Sequence, residues 1–127
     1  MSLRSTYNYR DPLQFALDRL QYLRIVLKKD LDTEAKIKQI SIIQHEIVEA
    51  MKQPHRPDKH ELRYPTGKPD QIEARIRLME RCIVNNDLPI GDRRGRVIDL
   101  LTRIKYELRK ADTEEQIRKH KEMYGEE

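Results

Sequence analysis

The sequence predicts an all-α protein: four to five helices in a bundle, its core completed by oligomerisation. Three observations point there. Leu, Ile and Val recur at steps of three and four in four separate stretches, the spacing of one helix face. The 127 residues include only four Gly, one Phe and no Trp, which argues against an all-β fold. Charged residues (38%) slightly outnumber hydrophobic ones (37%), so the apolar stripes are narrow and the core is lean. A chain of this length is of single-domain size, and a small lean domain often finishes its core against another copy.

Residues 1–10, with Tyr7 and Tyr9, read as an irregular arm. Asp11-Pro12 opens the first helix, because Asp caps well and Pro tolerates the first turn, where its missing N–H is not needed. Leu13, Leu17, Leu20, Leu23 and Leu27 form its stripe, widened by Ala16 and Val26. Asp32 or Thr33 caps the second helix, buried along Ile37, Ile40, Ile43, Ile47 and Met51, with Val48 beside them. Pro54 ends it. Residues 53–69 hold four of the six prolines and read as a connector, a kind of segment that is often functional when long. The third helix starts at Asp70, with Ile72, Ile76, Met79 and Ile83 inward. "NNDLPIGD" breaks it. A fourth runs from about Asp92 to Ala111 on Val97, Leu101, Ile104 and Leu108, with Gly95 in its first turn. Asp112 and Glu115 have capping-box spacing and restart a helix. Residues 112–127 have only Ile117, Met123 and Tyr124 to bury, so this segment reads as a weakly packed, partner-dependent tail.

The net charge of +4 comes from 26 basic and 22 acidic residues, interspersed. Nucleic acid is therefore permitted as a partner but not demanded. Cys82 is the only cysteine, which excludes a disulfide framework and a thiolate zinc site; it reads as a buried structural thiol. No apolar run approaches membrane-spanning length and no signal-peptide core opens the chain, so a cytoplasmic location is expected.

The functional question rests on two acid pairs, Glu46 with Glu49 and Asp70 with Glu73. Residues three apart share a helix face, so Glu46 and Glu49 project side by side at the edge of the buried stripe. Two like charges in register repel unless a cation neutralises them. Four carboxylates from two facing helices would form an oxygen-rich cage for Mg²⁺ or Mn²⁺. The opposing reading makes Glu46 and Glu49 a solvated edge, and Asp70 and Glu73 a capping box.

The order of these features resembles the MazG-like, all-α nucleotide pyrophosphohydrolases. "TEAKIKQISIIQHEIVEAM" is similar to that family's first metal helix, "YPTGKPDQIE" to its connector, and "RIRLMERC" to the segment after its second acid pair. The resemblance covers roughly residues 33–90. It implies Mg²⁺ or Mn²⁺ held by Glu46, Glu49, Asp70 and Glu73, binding a nucleoside triphosphate. A metal-activated water would then release nucleoside monophosphate and pyrophosphate. Lys68, Arg75 or Arg77 would neutralise phosphate charge, though the helical spacing of the two arginines with Glu73 and Glu80 also suits plain ion pairs. It further implies a homodimer or homotetramer.

Other groups carry weaker signals. His45 adjoins Glu46, and His55 and His60 flank "RPDK"; a third convergent ligand is missing for zinc. "GDRRGR" at 91–96 is the most basic short stretch, so Arg93, Arg94 and Arg96 at a helix start are candidates to grip phosphate or nucleic acid. The alternative to the enzyme is a non-catalytic helical adaptor or accessory protein, with dispersed acids and a binding face on "GDRRGR" or an apolar stripe.

Overall fold

The structure is a computed structural model describing residues 11–54, 60, 62, 64 and 66–124. It is all-helical, with no strand among the described residues: α1 (Pro12–Lys28), α2 (Thr33–Met51), α3 (Gln71–Ile83) and α4 (Ile90–Tyr124). The proposed arm, residues 1–10, lies outside the described residues.

Caps set the first three starts. Asp11 accepts from the Leu13 N–H, with Pro12 in the first turn. Asp32, rather than Thr33, accepts from Ala35, and Asp70 accepts from Glu73. Each bond satisfies an N–H that has no partner within its helix. The fourth helix begins earlier than expected, at Ile90, where the Arg93 N–H reaches the Pro89 carbonyl. It also does not stop at Ala111. Asp112 sits inside one continuous 35-residue helix, its carboxylate taking a hydrogen bond from Gln116 rather than capping a new start. No Gly or Pro interrupts residues 96–124, so nothing forces a break.

The core unites Leu13, Leu17, Leu20 and Leu23 of α1, Ile40, Ile43, Ile47 and Met51 of α2, Ile76, Met79 and Ile83 of α3, and Val97, Leu101 and Ile104 of α4. Leu27, Ile72 and Leu108 are only partly buried. In the ring of helices α1 lies beside α2 and α3, and α4 closes it against the same two. Cross-helix pairs fix the directions. Arg19 with Glu46 and Lys36 with Leu27 make α1 and α2 antiparallel. Arg94 with Met51 and Arg109 with Glu34 do the same for α2 and α4, and Arg75 with Glu107 and Arg93 with Ile83 for α3 and α4. Helices α2 and α3 are therefore diagonal and parallel. The chain must travel back along the bundle to enter α3, about 20 Å for a helix of this length, and this explains the long connector. His60 pairs with Asp11 and Leu62 packs on the core, so the connector is tied to the helices it passes.

Beyond Leu108 the helix leaves the bundle, and every residue from Arg109 to Tyr124 is exposed. Ile117, Met123 and Tyr124 are 51%, 76% and 63% exposed. Among the described residues no helix is long and apolar enough to cross a membrane.

Candidate functional site

The four candidate carboxylates already have protein partners. Glu46 accepts from Arg19 at 3.3 Å, whose guanidinium lies over the Tyr22 ring at 4.9 Å. Glu49 pairs with exposed Lys52 at 3.0 Å, and that hydrogen bond holds its carboxyl below the usual range. Asp70 is the α3 cap, 2.7 Å from the Glu73 N–H. The reciprocal half of a capping box is missing, because Glu73 turns inward to Arg24.

Arg24 organises the largest polar cluster among the described residues. It is 7% exposed and Glu80 is 2% exposed. Its Nε and Nη2 reach Glu73 at 2.9 and 2.7 Å. Its Nη1 and Nη2 reach Glu80 at 2.8 and 2.9 Å. Gln21 adds a hydrogen bond to Glu80 at 3.4 Å, and Arg77 one to Glu73 at 3.0 Å. Burial alone would lower the Arg24 pKa, but its hydrogen bonds to Glu73 and Glu80 outweigh that and raise it. The same Arg24 hydrogen bond, opposed by burial and helped by Arg77, holds the Glu73 carboxyl below its ordinary range.

The two acid pairs do not meet. They stand on diagonal helices, and they address different positions of α1: Glu46 meets Arg19 and Glu73 meets Arg24. Among the described residues no three His, Cys, Asp or Glu side chains gather so as to hold a metal ion. His45 is exposed on α2, His60 is turned to Asp11, and His55 lies outside the described residues.

The candidate phosphate groups are also accounted for. Arg75 forms a two-pronged pair with Glu107 at 3.2 and 2.8 Å. Arg77 binds Glu73 and lies 4.7 Å from the centroid of the Tyr64 ring. Lys68 is exposed. The "GDRRGR" arginines separate. Arg93, 5% exposed, donates to the Leu88 and Ile83 carbonyls at 2.8 and 3.1 Å. Arg94 reaches the Met51 carbonyl at 3.5 Å. These two satisfy carbonyls at the C-terminal ends of α3 and α2, where a cation also suits the helix dipole. Only Arg96 faces outward, into a groove.

That groove, about 370 Å³, runs between α3 and α4 and is lined by Leu78, Arg81, Cys82, Asn85, Leu88, Arg96, Asp99, Leu100 and Arg103. Sequence reasoning passes over Arg81 and Arg103 and places Cys82 in the core. Cys82 is only partly buried, and burial raises its thiol pKa against the opposing pull of Arg96 and Arg93, so at neutral pH it is a neutral wall. A signal existed: residues 78, 81 and 82 on α3 keep i, i+3, i+4 spacing, and 96, 99, 100 and 103 on α4 follow the i, i+3, i+4, i+7 pattern of one helix face, while Asn85 and Leu88 join from the turn between the two helices. Compared with known proteins, the chain matches no family model, and neither the curated proteins nor the solved structures give a match.

Proposed function

We propose that this chain is a non-catalytic helical adaptor, an accessory protein that acts by holding a macromolecular partner. The observation carrying this reading is the Arg24 cluster. Glu73, which a metal site would need, is bound by Arg24 and Arg77. Releasing it would take three of the five carboxylate hydrogen bonds from the buried Arg24 guanidinium and leave Glu80 to hold it, and hydrogen bonds to a charged group are worth about 1.5–3 kcal/mol each. Glu46 and Asp70 likewise serve an ion pair and a helix cap. These carboxylates build the bundle. The exposed run of α4 and the α3–α4 groove both face outward and are suited to contact rather than to chemistry.

Calorimetry tests the adaptor against the pyrophosphohydrolase. Mg²⁺ and Mn²⁺ are titrated with and without a non-hydrolysable nucleoside triphosphate, on wild type and Glu49→Gln. The expected result is no metal-linked nucleotide binding in either protein. Micromolar binding that needs the metal and disappears in Glu49→Gln would overturn the adaptor. It would restore Glu46, Glu49, Asp70 and Glu73 as a catalytic cage.

A further inference from the structure

We propose that the α3–α4 groove is a docking seat for an acidic amphipathic helix of a partner protein. The inference rests on the adaptor reading and names its partner's chemistry.

The arginines carry the argument. Every other described arginine has a partner: Arg19, Arg24, Arg75, Arg77, Arg109 and Arg118 bind carboxylates, and Arg93 and Arg94 bind carbonyls. Arg81, Arg96 and Arg103 have none among the described residues, and all three line one groove. With every other described guanidinium tied internally, this is a local excess of positive charge, with Asp99 the one acid among the groove's walls.

The floor between the arginines is apolar. Leu78 is 47% exposed, and Leu88, Leu100 and the neutral Cys82 thiol stand beside it. A leucine floor with a cationic rim complements a segment that is apolar on one side and acidic at its edges. The spacing selects a helix. Arg96 and Arg103 are two turns apart on α4, about 10.5 Å along its axis, and carboxylates seven residues apart on a partner helix repeat at the same distance. Antiparallel α3 and α4, with Leu78, Arg81 and Cys82 on one and the i, i+3, i+4, i+7 ridge of Arg96, Asp99, Leu100 and Arg103 on the other, leave a groove of the shape into which a third helix packs.

Other ligand classes fit less well. A nucleic-acid backbone has no use for the leucines, and no aromatic ring lines the groove for base stacking. A small anion would sit in water, because all three arginines are exposed.

The test uses a fluorescent helical peptide of about 15 residues, long enough to hold some helix, with leucines on one face and glutamates seven apart along its edges. Its Glu→Lys counterpart, inorganic tripolyphosphate and a DNA duplex are the comparison probes. Binding is read by anisotropy and mapped by amide chemical shifts on the full chain. The expected result is saturable binding of the acidic peptide with Kd below about 100 μM, weakened by salt, with shifts confined to residues 78–85 and 96–103. The triple variant Arg81→Glu, Arg96→Glu, Arg103→Glu loses about tenfold or more for the acidic peptide and gains the Lys peptide in its place. An unchanged melting temperature verifies that the variant, altered only at exposed side chains, still folds. No acidic-peptide binding, equal binding of both peptides, or tighter tripolyphosphate or DNA binding at the same residues would overturn the proposal. Such a failure leaves the adaptor reading standing as long as the metal-linked nucleotide titration remains blank, so the two are separable.

Discussion

Removing Arg24 is the most informative single perturbation of this fold. Arg24→Met keeps an unbranched apolar stem and deletes the guanidinium with its charge. Five hydrogen bonds disappear: three to Glu73 and two to Glu80. The two carboxylates do not suffer equally. Glu73 is 17% exposed on its side chain and keeps Arg77 at 3.0 Å. Glu80 is 2% exposed and keeps only Gln21, at 3.4 Å. The cost therefore falls on Glu80, a buried charge without a counterion, and amounts to about 3–5 kcal/mol. Against a total stability of about 5–15 kcal/mol that is a large fraction. With a urea m-value of about 1–3 kcal/mol/M, the midpoint falls by about 2 M. The double variant Arg24→Met, Glu80→Leu removes the stranded charge and recovers most of the loss, since replacing a buried pair by apolar groups is often neutral or better. Urea unfolding of the wild type, both single variants and the double variant closes the cycle. A cost below about 1 kcal/mol for Arg24→Met, or a double variant no better than the single, would refute the assignment of Arg24 as the polar keystone.

Three further outcomes are expected. Because Glu73 has a depressed folded-state pKa, its contribution is fully present above the unfolded carboxyl value of about 4.3. It is lost as pH falls through the folded value, since the unfolded chain takes up the proton first; Glu73→Gln is less stable than wild type at neutral pH, and the gap closes on acidification in pH-dependent urea titrations. Asp70→Ala removes the α3 cap and costs about 1 kcal/mol, measured by the same denaturation, without altering any metal titration. Deleting residues 112–127 changes stability by less than about 0.5 kcal/mol, because residues 112–124 are all exposed, while far-UV circular dichroism loses the helical signal of that segment; a cooperative loss of fold would show that the tail packs on the bundle.

The local rules of helix formation were readable from particular residues. Asp11-Pro12 and Asp70 start helices because a carboxylate can satisfy a free N–H from its own neighbourhood, and no distant residue is needed to know it. The isoleucine line of α2 faces the core because a periodicity of three and four admits one buried side. The end of α4 departs from the sequence expectation for a related reason: Asp112 and Glu115 have cap spacing, but a cap requires the preceding chain to leave the helix, and nothing between Ala111 and Asp112 makes it do so.

The use of the charges was not readable, because spacing gives a side chain's face and not its partner across the bundle. Glu73 has capping-box spacing with Asp70, yet it points to Arg24, forty-nine residues away in sequence. Arg93, Arg94 and Arg96 form one basic run, yet helical rotation of about 100° per residue sends two of them to the carbonyl ends of α3 and α2 and one to the groove. Whether Glu46 and Glu49 face Asp70 and Glu73 depends on the order of helices around the ring. By itself, then, the sequence determined four helical stretches, the caps at Asp11 and Asp70 and the apolar faces, all set by contacts within a few residues. Only the tertiary structure decided that α2 and α3 lie diagonally and parallel, so that the acids serve ion pairs and caps while three arginines without partners among the described residues come together in the α3–α4 groove.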